Sequence, residues 1–327
     1  MHIVVVGAGA IGTLYGGWLI AGGGDVSFLA RGARLDQLRS DGIALEGPNG
    51  DFRQAPVEAA DRADALRPAD VLLMTVKLYD LDEAARANSG SLVPGGLVVG
   101  LQNGVEAGQM LRATFPAGQV MVGPVYSAVH LASGTAIYSG TRHLVTIGSE
   151  TGDRHPHAEP LLALWRAAGI RAEVSGDIRS ALWNKLVLLG TNAALTCLTR
   201  SPAGIVYHDP DLLALARQSM AEIIKVGRAE GAAIADDAAE KSLALLKTFP
   251  PDMVASMRHD LDAGRRLELD GISGAIGRHG RKHGIETPFH DFAFACLKPW
   301  RDGAKPFPFA PDGEKEAGES PEQGAAR

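Results

Sequence analysis

The chain has 327 residues, of which 46% are hydrophobic and 21% charged, a balance typical of a globular protein large enough for two cores. Its formal net charge of -6 disfavours a nucleic-acid-binding surface, and no stretch reaches the roughly 18 uninterrupted apolar residues of a membrane-spanning helix. The two cysteines, Cys197 and Cys296, show no disulfide or metal-ligand spacing, and no secretion signal precedes the first strand, so we expect a cytoplasmic protein.

The first element predicted is a buried parallel strand, His2–Val6, which is β-branched, apolar and too short for a helix. The glycine pattern GAGAIG follows at once and opens an amphipathic stretch, 11–21, before a second apolar strand, 26–30. In this context the pattern predicts a dinucleotide-binding turn, although a glycine-rich turn without a ligand is the alternative. The predicted cofactor-binding residues of the turn are Gly7, Gly9, Ala10, Ile11 and Gly12.

Arg31 stands where the second strand ends, at the place where NAD-binding proteins usually carry an acid that binds the ribose. Asp25 precedes the strand and Asp36 lies beyond it, so no acid competes for this position. A guanidinium binds a phosphate through two hydrogen bonds and stays charged, and Arg34 follows about one helical turn later. We therefore interpret the opening as an NADP site, with two solvated arginines at a helix start as the alternative.

Strand and helix signals alternate through the rest of the first half, which predicts a parallel sheet flanked by helices. Strands are predicted at 71–76 and 97–101, and helices at 81–87 and 105–113. From 120 to 148, longer apolar pieces separated by glycines predict antiparallel strands appended to the same sheet. A helix at 155–167 and a strand at 170–174 complete an α/β Rossmann-type dinucleotide-binding domain, 1–176.

Beyond Asp177 the sequence has almost no strand signal. Apolar residues recur at helical spacing over 178–198, 210–230, 237–247, 253–263 and 268–283. We predict a mainly α-helical C-terminal domain, 177–310, that carries the substrate site. Residues 311–327 contain five acids, two bases and no large apolar side chain, which predicts a disordered tail.

The two predicted domains place the substrate in the cleft between them, at the carboxyl ends of the parallel strands. Lys77 and Asn103 each follow a predicted strand and are therefore candidates for this cleft. Lys77 could also be a solvated loop lysine, and Asn103 could cap a helix or form an Asn-Gly turn.

Lys185 lies inside a strongly apolar helical segment, where a lysine without a partner is rare. Asn192 and Thr196 follow near the same helix face, which predicts a polar stripe; a lysine that reaches solvent along its apolar stem is the alternative. Ser256 and Glu268 lie near the ends of two later helices, and Glu268 could also only stabilise the first turn of its helix.

His279 and His283 are four residues apart on a predicted helix, a spacing that can bind a metal. No further ligand set accompanies them, so we expect a solvated helix face and no metal site.

The motifs GAGAIG, LQNGVE, LWNKL, LTR, ASMRHDL and LELDGISGAIGRHGRKHGIETP, in this order and spacing, resemble the ketopantoate reductase (2-dehydropantoate 2-reductase) family. The resemblance extends from residue 1 to about residue 300. It implies that Lys185 is the catalytic lysine and Glu268 its acidic partner. It further implies that Asn103 and Ser256 position the substrate.

The same resemblance implies that Arg31 and Lys77 lie near the cofactor phosphates and the nicotinamide, with Asn103 also close to the cofactor. One position departs from the family, because Leu189 stands where many members have an asparagine one turn after the lysine. Asn192 and Thr196 remain the polar candidates for binding substrate on this helix.

The resemblance implies NADPH-dependent reduction of ketopantoate to pantoate, a step towards pantothenate and coenzyme A. A protonated lysine suits this chemistry, because hydride addition builds negative charge on the carbonyl oxygen. Another small 2-oxo acid, an opine-type condensation with an amine, and a non-catalytic NADP sensor are the alternatives. We expect no nucleic-acid or membrane partner, and a homodimer through the helical domain stays open.

Overall fold

The computed structural model describes residues 1–140 and 143–303. The predicted tail, 311–327, and the last residues of the predicted helical domain, 304–310, lie outside these residues.

The N-terminal half is built on one parallel sheet. Its strands are β1 (His2–Val6), β2 (Asp25–Leu29), β5 (Glu58–Ala60), β6 (Ala69–Met74), β7 (Leu92–Gly100) and β8 (Val120–Val122). They lie in the order β5-β2-β1-β6-β7-β8, every pair parallel, which confirms the predicted Rossmann-type parallel sheet. The helices of this half are α1 (Ala10–Ala21), α2 (Ala33–Asp41), α3 (Leu81–Asn88), α4 (Ala107–Arg112) and α5 (Ala158–Ala167).

The central strands are buried on both faces, as their nearly continuous apolar runs predict. Because successive side chains point to opposite faces, Val5 and Leu73 join the core beneath α1 and α5. Their neighbours Val4 and Leu72 belong to the other core, which continues into the helical half through Leu186. The sheet is thereby packed against the helices that carry the second part of the site.

The prediction that the strands after residue 120 extend the main sheet as antiparallel strands is wrong. The remaining strands are β3 (Ile43–Glu46), β4 (Phe52–Gln54), β9 (Ala128–Ala132), β10 (Thr135–Ser139), β11 (Leu144–Ile147) and β12 (Arg171–Val174). β8 continues the main sheet in parallel, β9 and β10 form a hairpin in a separate sheet with β3 and β4, and β11 pairs in parallel with β12. The chain leaves the main sheet after β8 at Gly123 and Pro124, and a proline has no N–H to continue a ladder.

The C-terminal half is helical, as predicted. Its helices are α6 (Ile178–Thr199), α7 (Ala203–Val206), α8 (Pro210–Ala229), α9 (Ala238–Lys247), α10 (Ser256–Asp262), α11 (Ala275–Lys282) and α12 (Pro288–Leu297). The helix predicted at 268–283 starts later, because a π-helical turn, Asp270–Gly274, precedes α11. Among the described residues, none of the helices combines the length and apolarity required to cross a bilayer.

Candidate active site

The glycine turn between β1 and α1 has the geometry of a dinucleotide cradle. Gly7 adopts φ of +99°, and a Cβ added at Gly12 would lie 2.0 Å from the Gly7 carbonyl oxygen. A Cβ added at Gly9 would meet no atom within 4 Å, so this backbone faces open space. Ala10 and Ile11 begin α1 and remain partly exposed. The turn thus combines tight helix–strand packing with the open approach that a pyrophosphate needs.

A cavity of about 1250 Å³ opens beside this turn, and its wall includes Gly9 and Arg31. Arg31 is exposed and, within residues 1–140 and 143–303, forms no hydrogen bond or ion pair with another residue. Its guanidinium is available for an anion in this cavity. These features fit a dinucleotide.

Arg34, the second arginine of the opening stretch, has a different role from the predicted one. Its Nε donates to the Ala8 carbonyl at 2.9 Å, and its Nη2 donates to Thr13 Oγ1 at 2.7 Å. Its Nη1 donates to the Gly134 carbonyl at 3.1 Å, and burial lowers the pKa of Arg34. Because these donors are engaged, Arg34 braces the glycine turn, whereas the Arg31 guanidinium stays available to a ligand.

Lys185 lies on α6 and is half-buried, in a largely apolar stretch of the helix that includes Trp183 and Val187. Its Nζ donates to Asn103 Oδ1 at 2.8 Å and lies 5.9 Å from the centre of the Tyr126 ring. Burial lowers the pKa of Lys185 to about 8, and the charge of Glu268 opposes this shift. The amine is therefore poised to give up a proton near neutral pH.

Asn103 follows β7 at the carboxyl edge of the sheet and joins the two predicted catalytic residues. It accepts from Lys185, and its Nδ2 donates to Glu268 Oε2 at 3.3 Å. The alternative that Asn103 only caps a helix is wrong, because α4 begins at Ala107 and the residue before it is Glu106. Lys185 and Glu268 therefore communicate through the Asn103 amide, and Glu268 has a different direct partner.

That partner is Lys77, which follows β6. Its Nζ donates to Glu268 Oε2 at 2.9 Å and to Asp260 Oδ2 at 3.0 Å. Burial lowers the pKa of Lys77, but the charges of Glu268 and Asp260 outweigh it, so the net shift is upward. The solvated-lysine alternative is wrong, since the ammonium bridges two carboxylates of the helical half.

The other predicted substrate residues lie in two different environments. Ser256 is the first residue of α10 and is exposed, so its hydroxyl is accessible to a ligand. Asn192 and Thr196 are buried: Asn192 Oδ1 accepts from Tyr207 at 2.9 Å, and Thr196 donates to the Asn192 carbonyl at 2.7 Å. The Asn192 side-chain oxygen and the Thr196 hydroxyl are therefore engaged inside the helical core, whereas the Asn192 amide nitrogen has no hydrogen-bond partner among the described residues. Contact of these two residues with substrate stays a prediction.

Two residues of the site were not found from the sequence. Asp260 lies 183 residues after Lys77, and no sequence motif predicts that the two residues pair. The only sequence signal for Asp260 as a site residue is that it belongs, with Ser256, to the motif ASMRHDL. Tyr126 follows β8 at the same sheet edge as Lys77 and Asn103, which a correct assignment of β8 to the parallel sheet would have suggested.

Models of two protein families match the chain, one in each half. The model of "Ketopantoate reductase PanE/ApbA" matches residues 3–152, and that of "Ketopantoate reductase PanE/ApbA C terminal" matches residues 177–301. The chain belongs to the ketopantoate reductase family. The resemblance seen in the motifs is thereby confirmed over both halves of the protein.

Individual relatives agree with this family membership. The chain is 33% identical over 307 residues to a 2-dehydropantoate 2-reductase of Mycobacterium tuberculosis, covering 92% of this chain and 98% of the relative. It is 30% identical to a 2-dehydropantoate 2-reductase of Halobacterium salinarum, covering 88% and 95%. A crystal structure of a PanE/ApbA family ketopantoate reductase from Ralstonia eutropha superposes with a TM-score of 0.84 at 33% identity, covering 92% and 98%. This ketopantoate reductase family member is an oxidoreductase with a Rossmann-like half and a helical half.

Proposed function

We propose that this protein reduces a small 2-oxo acid with NADPH, with ketopantoate as the first candidate substrate and pantoate as the product. Such a reaction would be a step towards pantothenate and coenzyme A. The observation that carries the proposal is the bridge from Lys185 through Asn103 to Glu268, which links a titratable ammonium to a buried carboxylate.

The proposed chemistry divides between the cofactor and the lysine. NADPH supplies a hydride when it is bound. As the hydride adds to the carbonyl carbon, the π electron pair moves to the oxygen, and the Lys185 ammonium stabilises this negative charge. Lys185 then donates a proton to the oxygen, which yields the hydroxyl group, and regains a proton from solvent.

Asn103 and Glu268 prepare this lysine for catalysis. A lysine has three N–H donors, and Asn103 takes one of them, which leaves the others for the substrate oxygen. Glu268 favours the charged form of Lys185, against the effect of burial. Ser256, exposed at the start of α10, is the proposed ligand of the substrate carboxylate or hydroxyl.

NADPH rather than NADH is proposed because Arg31 offers an unengaged guanidinium on the wall of the large cavity. In NAD-binding relatives of this fold an acid holds the ribose hydroxyls at this place, whereas an arginine accommodates the 2′-phosphate. We also propose a division into domains 1–176 and 177–310. A homodimer stays a prediction, and sedimentation velocity of the full chain tests it.

A different 2-oxo acid is the second candidate substrate. Leu189, one turn after Lys185, is only partly buried. Its apolar side chain cannot form a hydrogen bond with the hydroxyl group of a substrate, which favours a 2-oxo acid without that hydroxyl. An opine-type condensation and a sensor without turnover keep the same fold.

One assay distinguishes these functions: loss of NADPH absorbance with a panel of 2-oxo acids, each with and without an amine. We expect turnover with ketopantoate alone, whereas a signal that needs an amine would favour the opine reaction. Cofactor binding without oxidation of NADPH would favour the sensor.

Lys185→Met should lower kcat by about 10²- to 10⁴-fold, the range for loss of a general acid. It keeps the apolar stem, so packing is largely preserved. The control is Lys225→Met, which removes an exposed lysine of α8.

A further inference from the structure

The loop that carries Asn103 docks on the helical half through three contacts in sequence. Asn103 donates to Glu268, and a Cβ added to Gly104 would lie 2.6 Å from the Gly271 carbonyl oxygen. Glu106 then contacts Arg278 and His279 in the middle of α11. Residues 103–106 therefore contact residues 268–279 one after another along both segments. The first contact of this series is made by the Asn103 side-chain amide.

Glu106 makes the strongest of these contacts. It accepts from Arg278 Nη2 at 2.6 Å and from Arg278 Nε at 3.2 Å, the paired geometry of a guanidinium on a carboxylate. Arg278 Nη2 also donates to the Asp270 carbonyl at 2.8 Å, which fixes the arginine against the π-helical turn. The two charges thus join the β7–α4 loop to the start of α11.

His279, predicted to lie on a solvated face, is instead enclosed between two carboxylates. Its Nε2 lies 3.6 Å from Glu106 Oε1, and its Nδ1 lies 2.9 Å from Glu230 Oε1, off the line of an N–H hydrogen bond. Its ring meets the Trp183 ring edge-on, with centroids 5.6 Å apart. Since Trp183 precedes Lys185 by two residues on α6, His279 touches both the loop of Asn103 and the helix of the lysine.

The charges around His279 come from every element packed against it. Glu106 faces it from the loop and Glu230 from the end of α8, while Lys282 and His283 share Glu230 at 2.9 and 2.7 Å. Contact with Glu106 raises the pKa of His279; burial opposes this, and Glu230 adds to the rise. Burial raises the pKa of Glu106, but its contacts with His279 and Arg278 lower this pKa by more. The net shift of the Glu106 pKa is therefore downward.

We propose that Glu106, Arg278 and His279 form a latch between the two halves that positions Asn103 between Lys185 and Glu268. The loop needs such support because the residue after Asn103 is Gly104, which has a φ of +95°. A glycine has no side chain to restrict its backbone, so contacts elsewhere must fix the position of Asn103. The latch residues are positioning residues. They act on Lys185 only through Asn103 and through the contact of His279 with Trp183 on α6.

His279→Gln tests the latch, and His283→Gln is the matched control, because His283 contacts Glu230 but not Glu106. The first readout is the protection of the amides at 103–106 in hydrogen–deuterium exchange, which needs no turnover. We expect about tenfold faster exchange in His279→Gln and no change in His283→Gln. Equal exchange in the two variants would overturn the proposal.

The second readout is kinetic and rests on the proposed reductase activity. His279→Gln should lower kcat with the 2-oxo acid about tenfold. The Kd for NADPH should change much less, because residues 103–106 are not part of the lining of the cavity beside the glycine turn. If no 2-oxo acid is reduced, the proposed function fails, but the exchange result still decides the latch.

A pH series separates a latch from mere packing. The folded-state pKa of His279 is raised, so its charged contacts are complete below about pH 6.5 and are lost as pH rises through the raised value. Loop protection in the wild type should fall over this range, whereas His279→Gln should show no such step. Superimposable curves would refute the proposal.

A second variant covers a failure of His279→Gln to fold. Arg278→Gln weakens the same Glu106 contact at a more exposed side chain, and Arg281→Gln, which pairs with Asp291, is its control. Faster exchange of 103–106 in the first but not the second supports the latch, and no difference contradicts it.

Discussion

The protonation of Lys185 should control the rate of reduction. With a pKa of about 8, about 90% of Lys185 is charged at pH 7 and about 10% at pH 9. If only the charged lysine serves as the acid, kcat/KM for the 2-oxo acid falls about tenfold between these pH values. The reverse reaction needs a base and should rise over the same range.

The assay is a pH profile of kcat/KM with saturating NADPH, in buffers of constant ionic strength. Lys185→Arg provides the control, because a guanidinium keeps the charge and does not deprotonate at these pH values. This variant should be slower than the wild type and show no break near pH 8. A flat wild-type profile, or a break that persists in Lys185→Arg, would refute the assignment of the acid.

Three further outcomes are expected. Arg31→Glu should weaken NADPH binding at least about tenfold in a fluorescence titration and leave NADH nearly unchanged; equal loss for both would make Arg31 structural. Gly9→Ala should keep the melting temperature but weaken NADPH binding, whereas Gly12→Ala, whose Cβ would lie 2.0 Å from a carbonyl oxygen, should lower the melting temperature; the opposite order would refute the cradle. Lys77→Met should lower the free energy of unfolding in urea by about 1 to 3 kcal/mol, a value reduced because the lysine side chain is 38% exposed. It should also move the break in the pH profile that reports Lys185 to higher pH. Unchanged stability would contradict the ion-pair geometry.

Much of the cofactor-binding half follows from the sequence because its signals are local. The glycine turn needs only a strand before it and a helix after it, and the apolar runs of β1 and β6 suit strands buried on both faces. Strand pairing is not local. The stretch 128–139 shows strand character, but nothing in it indicates that β10 pairs with β3, where Thr135 lies opposite Ala44, 91 residues earlier.

The site shows the same limit at the level of side chains. Lys185 was identifiable because a lysine in an apolar helix conflicts with its surroundings. Arg34 and His279 were misread, because a charged residue on a helix is usually solvated or ligand-bound. Here each meets partners distant in sequence, the turn at Ala8 and the carboxylate of Glu106.

The arrangement of charges explains why the pKa of Lys185, the proposed acid, lies close to neutral pH. Lys185 and Lys77 face one carboxylate, Glu268, but only Lys77 contacts it directly, and Asp260 adds a second acid on the Lys77 side. Had Glu268 paired directly with Lys185, its full charge would have held the pKa of Lys185 high and made proton release slow. Because Lys77 shares that charge and Asn103 stands between, burial prevails at Lys185 and brings its pKa to about 8. A lysine in this position can both stabilise an oxyanion while charged and deliver its proton near neutral pH, which is what reduction of a 2-oxo acid demands.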